Sequence, residues 1–160
     1  MKDKGEITLK LTRRQITLKV LSNFINSNLD KINDVEMKAN NITFMTNSGK
    51  INIKIKTSKD YTENEENKHC LWVSFSKEEL ENSEDNDYFV VICSDNLEKS
   101  LVFTRNELVA HFSNISKRKK NDEIDYDMYP HFIGRSCVDS RVKSDATPID
   151  ITKNLNNYVF

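Results

Sequence analysis

Asn47-Ser48-Gly49-Lys50-Ile51-Asn52-Ile53-Lys54-Ile55-Lys56-Thr57-Ser58 is the stretch on which the fold turns. Ile51, Ile53 and Ile55 alternate with Asn52, Lys54 and Lys56, the period of two that marks a strand with one apolar and one polar face. Asn47-Ser48-Gly49 is a turn signal, so the alternating run before it, Asp34 to Thr46, is expected to return as the other arm of a hairpin.

Toward the N-terminus, Thr12-Arg13-Arg14-Gln15 has the form of a capping box, a hydroxyl followed three residues later by a side-chain amide. Ile16, Val20 and Phe24, with Leu18, Leu21 and Ile25, then recur at helical spacing, which predicts one amphipathic helix over residues 13 to 28. Ile7, Leu9 and Leu11 alternate with Thr8 and Lys10 as in a short strand.

Toward the C-terminus, Asp60 to Lys68 is too polar for either period and reads as a loop. Cys70 to Phe75 reads as a strand, Lys77 to Asp87 as a loop or short helical turn, and Tyr88 to Ser94 as a continuous apolar strand buried on both faces. Leu101 to Phe103 is a further strand, and Thr104-Arg105-Asn106-Glu107 caps a second helix through Leu108, Val109, His111 and Phe112. Lys117 to Lys120 running into Asn121 to Asp127 is expected to be an exposed loop, and Ile149 to Phe160 a tail that docks as a last helical turn. This order predicts an α/β fold: one domain over residues 1–160, with a central mixed β-sheet flanked by helices. Its core is expected at about residues 7–115, followed by a C-terminal extension over 116–160.

A chain of 160 residues and 18.7 kDa is the size of a single core. With 37% hydrophobic and 31% charged residues, it has no apolar run approaching the roughly 20 residues that span a bilayer. The charged and apolar alternation at the N-terminus lacks a signal peptide's apolar centre, so a cytoplasmic protein is expected, with no membrane partner. Cys70, Cys93 and Cys137 form no close pair and read as reduced thiols, neither a disulfide framework nor a zinc site. Nineteen Asn against three Gly and two Pro point to an AT-rich coding sequence, as in a low-GC bacterium or its phage.

The net charge of -1 conceals a strong asymmetry. Residues 1 to 59 hold 12 Lys or Arg against 5 Asp or Glu; residues 60 to 87 hold 2 against 10; residues 88 to 160 hold 10 of each. A basic first third suits a phosphate backbone, because Lys and Arg release condensed counterions there, although charge runs are more often simply solvated faces.

The segment from Gly49 to Ser58 resembles the restriction-endonuclease-like superfamily, the PD-(D/E)xK nucleases, as does the order of strands and helix from Leu71 to Thr104. The resemblance covers roughly residues 12 to 115 as a pattern of elements. It implies a restriction-endonuclease-like fold and a Mg2+-dependent nuclease centre in which carboxylates hold the metal and a Lys orients the nucleophile. Carried onto this chain, Asp34 matches the first metal ligand and Lys56 the Lys, while the second acidic position falls on Lys54. Glu36, two residues from Asp34, is the carboxylate that would replace it, so the resemblance implies Asp34, Glu36, Lys54 and Lys56 as catalytic residues and Asp34 and Glu36 as metal ligands.

His69, His111 and His131 lack ligand spacing, and His111 on an apolar helix face reads as a satisfied core histidine. Cys93 reads as an inert core thiol and Trp72 as core in preference to a base-stacking platform. Three functions stay open. The first is a nucleic-acid-associated protein, either a divergent nuclease or a degraded DNA-binding relic, contacting phosphates through Arg13, Arg14, Lys50 and Lys59. The second is a phage or mobile-element inhibitor of a host defence system, of anti-restriction or anti-CRISPR type, binding a host protein through Glu63, Glu65 and Glu66. The third is a structural domain with another partner, and a homodimer is compatible with each.

Overall fold

In a computed structural model, the described residues are 11–62, 71–113, 118–120 (backbone only), 123–140 and 147–160. The expected strand at Ile7 to Leu11, most of the polar loop before Lys68, and Cys70 lie outside them or at their edge.

Helix α1 spans Arg13–Asn28 and begins as its capping box requires, with Thr12 Oγ1 accepting from Gln15 N (3.2 Å) and Gln15 Oε1 from Thr12 N (2.7 Å). The run from Asp34 to Thr46, expected as one arm of a hairpin, is instead two strands, β1 (Ile32–Lys38) and β2 (Asn41–Thr46). A turn at Ala39-Asn40 divides them, with Ala39 at φ 48, a left-handed conformation that carries no Gly or Asp to advertise it. β3 (Gly49–Ser58) pairs with β2 through the turn at Gly49 (φ 124), and Ile51, Ile53 and Ile55 face the core as the alternation requires.

β4 (Val73–Ser76) follows, then the one-turn helix α2 (Lys77–Glu81), capped by Ser76 accepting from Glu79 N at 3.0 Å. β5 (Tyr88–Cys93) runs parallel to β3 and antiparallel to β6 (Ser100–Thr104), completing a five-stranded mixed sheet in the order β1-β2-β3-β5-β6. β5 is buried on both faces, Val90 and Ile92 beneath α1, Phe89, Val91 and Cys93 beneath the second layer. That layer contains α3 (Arg105–Phe112) and, from the region expected to be an appended extension, β7 (Arg118–Lys120), β8 (Glu123–Met128), β9 (Pro130–Ile133), β10 (Ser136–Asp139) and β11 (Ile149–Asp150). The basic-to-acidic run expected as a loop is therefore a β7–β8 hairpin, and β8 pairs with β4 in a separate small sheet. β8 interleaves its charges with Ile124, Tyr126 and Met128, and net polarity hid that alternation. The tail docks through a 3-10 turn at Thr152–Asn154, and Leu155 bridges Leu101 on β6.

α3 carries the second capping box, with Glu107 Oε2 accepting from Thr104 N at 2.9 Å and Glu107 Oε1 meeting Lys153 Nζ at 3.1 Å. Partial burial works to raise the Glu107 pKa, but the hydrogen bonds from Thr104 and Lys153 outweigh it and hold the carboxyl below its usual 4.5. A depressed folded-state pKa contributes stability that is present above pH 4.5 and is lost as pH falls through the folded value. Urea titrations between about pH 3 and 6 should therefore show a shallower acid decline in Glu107→Gln than in the parent. An identical decline would remove Glu107 from the account.

Candidate nucleic-acid interface

The polar face of β1-β2-β3 is where the resemblance would put a catalytic centre, and the register shows what that face assembles. Glu36 lies across from Thr43 and Thr43 from Asn52; Lys38, Asn41 and Lys54 form the next row; Asp34, Met45 and Lys50 form another. The resemblance matches Asp34 as if its strand adjoined β3, but β2 intervenes and carries Asn41 and Thr43 where a carboxylate is needed. With strands about 4.8 Å apart and residues about 3.3 Å apart along them, Asp34 and Lys56 stand roughly 20 Å from one another. Asp34 accepts from Val35 N at 2.8 Å, and Glu36 pairs with Lys38 at 2.8 Å, which holds its carboxyl below the usual range through hydrogen bonding and charge. Among the described residues no three His, Cys, Asp or Glu side chains gather closely enough to hold a metal ion.

Lys54 and Lys56 are engaged from the other side. Lys54 Nζ donates to Ser83 Oγ at 2.6 Å and stands 3.9 Å from Asp87 Oδ2, above the Phe89 ring. Lys56 Nζ donates to Glu79 Oε2 at 2.6 Å and to the Ser74 carbonyl at 3.2 Å, above the Phe75 ring. Asp87 also accepts from Asn52 Nδ2 at 2.9 Å and is only 3% exposed. The acidic block thus turns two carboxylates, Glu79 on α2 and Asp87 ahead of β5, inward onto the lysines of β3. Charge counting missed this because the partners lie more than twenty residues apart. The helix-start pattern Ser76 to Glu79 was the available signal that the acidic stretch is folded.

The four cations expected to contact phosphates divide between two ends of the sheet. Lys50 is exposed beside the β2–β3 turn. Arg13 and Arg14 are exposed at the start of α1, whose Thr17 Oγ1 donates to the Ala39 carbonyl, so this end of the helix sits over the β1–β2 turn and the exit of β3. A notch of about 180 Å3 there is lined by Arg13, Thr17, Asn40, Ile55, Lys56 and Thr57. Lys59 follows directly, its ammonium 4.8 Å from the centre of the Tyr61 ring. Trp72 N donates to Ser58 Oγ at 3.0 Å, which sets Trp72 beside the same exit. Expected in the core, Trp72 is instead 43% exposed and stacks on Tyr129 with ring centroids 6.1 Å apart. Arg13 thus lines the notch at the exit of β3, Arg14 adjoins it on α1 and Lys59 follows the strand, while the exposed Trp72 joins the same strand end through its backbone and Lys50 lies at the opposite end.

His111 is satisfied, as its apolar helix face suggested: its Nε2 lies 2.6 Å from Asp139 Oδ2, and Asp139 Oδ1 accepts from Tyr129 N at 2.9 Å. Sequence could not supply the partner, which comes from β10. Cys93 is buried, and desolvation raises its thiol pKa, which disfavours the reactive thiolate. Glu63, Glu65 and Glu66 lie outside the described residues. No helix among the described residues is long and apolar enough to cross a membrane.

Compared with protein-family models, curated proteins and solved structures, the chain matches none.

Proposed function

We propose that the chain is a nucleic-acid-binding protein of restriction-endonuclease-like architecture, a relic of a Mg2+-dependent nuclease that contacts phosphates and bases at the exit of β3. The convergence of Arg13, Lys59 and the exposed Trp72 on the exit of β3, with Arg14 adjoining on α1, carries this reading, since cations with an aromatic face are what a nucleic-acid backbone and its unstacked bases require. Supporting the architecture is the order of helix, three antiparallel strands and a crossover to a strand parallel to the third. Against retained cleavage stand the wide separation of Asp34 from Lys56 and the engagement of both β3 lysines by Glu79, Asp87 and Ser83.

Electrophoretic retardation of duplex and single-stranded oligonucleotides at two salt concentrations, with and without Mg2+, tests it. Binding without cleavage is expected. Exchanging Arg13, Arg14 and Lys59 together for Ala should weaken binding and flatten its salt dependence, by about 0.9 in log-log slope for each duplex phosphate that is no longer neutralised. Lys50→Ala should change little. Failure to retard either substrate at about 50 mM salt would abandon this reading for a protein-binding inhibitor. The exposed Glu78, Glu81, Glu84 and Asp85 would then be the surface to reverse in charge.

A further inference from the structure

The two edges of the central sheet are finished differently. On β6 the tail covers the edge, with Leu155 bridged to Leu101 and Asn156 N donating to the Ser100 carbonyl. On β1 no strand among the described residues pairs with the outer side, and six of its seven residues are exposed. The Val35 N–H meets its neighbour's carboxylate, Asp34 Oδ1, so it points away from β2. The peptide group of Met37 shares that direction by alternation, which the bulge between Ile32 and Asp34 interrupts at Asn33.

Beside this edge runs an apolar strip. Val35 and Met37 lie in rows with Phe44 and Ile51 and with Ile42 and Ile53, hence on the α1 face, and both are exposed. Thr17 reaches the β1–β2 turn while Lys19, on the other flank of α1, pairs with Glu98 beyond β5. At 100° per residue, Leu18, Leu21 and Ile25 therefore overhang β1. Leu18 is exposed and Leu21 and Ile25 only partly covered.

We propose that β1 pairs antiparallel with β1 of a second copy of this chain, extending the sheet across a twofold axis perpendicular to it. Charge selects the register. Centring the pair on Val35 would set Asp34 against the partner's Glu36 twice. Centring it on Glu36 sets Asp34 against the partner's Lys38 twice and Val35 against the partner's Met37 twice, and leaves one Glu36 pair at the axis. Each outward-facing peptide of Val35 and Met37 then gains a partner. The same axis brings both α1 helices to one face, their Leu18, Leu21 and Ile25 strips closing over the apolar seam. A strand edge this open is what folds normally blunt or cover, and a self-complementary patch is what a twofold dimer requires. This assembly does not depend on the nucleic-acid reading.

Sedimentation velocity on the full chain should show a dimer that persists at low micromolar concentration. Asp34→Lys creates two like-charge contacts and should raise the dissociation constant about tenfold or more, while Asp34→Lys with Lys38→Asp should restore it. Glu36→Cys, in a Cys70→Ser background, should crosslink to itself under mild oxidation, and Asp34→Cys should not. An unchanged far-ultraviolet circular dichroism spectrum with a cooperative melt, at a midpoint lowered by the lost association, would show that the single reversal dissociates the pair without unfolding the chain. A monomer at every concentration, as when residues 1–10 of the same chain occupy the edge, would overturn the proposal. So would a dimer indifferent to Asp34→Lys, or one crosslinked through residue 34 in preference to 36.

Discussion

Replacing Phe24 by Ala is expected to remove about 3 to 5 kcal/mol of folding stability. Phe24 sits at the centre of α1's buried face and is fully enclosed. Its ring meets Phe44 of β2 at 5.8 Å between centroids, Tyr158 at 5.0 Å, Phe160 at 5.3 Å and Tyr88 at 6.2 Å. One side chain therefore joins the helix, the sheet and the C-terminal tail, and its removal leaves a void that three separate elements would have to close together. Domains of this kind hold only about 5 to 15 kcal/mol in reserve, so the variant should approach unfolding at room temperature. Urea midpoints would register the loss directly, with Phe24→Leu falling between the parent and Phe24→Ala. A loss below about 1 kcal/mol would mean that the tail does not dock on α1 as described.

The elements most legible in the sequence were those whose local signals agree with one another. α1 has a capping box and a helical apolar face, and α3 repeats the arrangement; β5 is so uniformly apolar that only a central position can hold it. The β1–β2 turn was underread because Asn40-Asn41 is its only turn signal and Ala39, the residue in the left-handed conformation, does not announce it, and one missed turn displaced Asp34 by a whole strand. The second layer was underread for a different reason. β8 alternates Ile124, Tyr126 and Met128 with acidic residues, and its partner β4 lies some fifty positions earlier, so its pairing is a property of the fold alone. Lys54 and Lys56 were correctly placed on one face, but their carboxylate partners come from a block that local charge counting assigned to solvent.

Those inward-turned carboxylates make Asp87 the other position of large effect. Asp87→Ala should cost about 3 kcal/mol, because removing one partner of a buried ionic cluster leaves the others desolvated and unmatched. Its Oδ1 accepts from Asn52 Nδ2 at 2.9 Å, its Oδ2 accepts from Glu84 N at 3.1 Å, and Lys54 Nζ stands 3.9 Å away. The backbone of Asp87 adds to the constraint, since Asp87 N donates to the Glu84 carbonyl and Arg105 N to the Asp87 carbonyl. Lys54 keeps its bond to Ser83, which limits the loss. Asp87→Asn should retain a hydrogen-bonding side chain and lose less than Asp87→Ala, isolating the contribution of charge. Pairing Asp87→Ala with Lys54→Met should recover part of the deficit, because the double variant no longer holds an uncompensated ammonium, and a coupling of about 0.5 to 3 kcal/mol is expected for groups in one network. Strict additivity in denaturant titrations would show that Lys54 answers to Ser83 alone. The same variants bear on binding: if Asp87 withholds Lys54 from phosphate, Asp87→Asn should steepen the salt dependence of nucleic-acid retardation relative to the parent, whereas Lys54→Met should leave it unchanged.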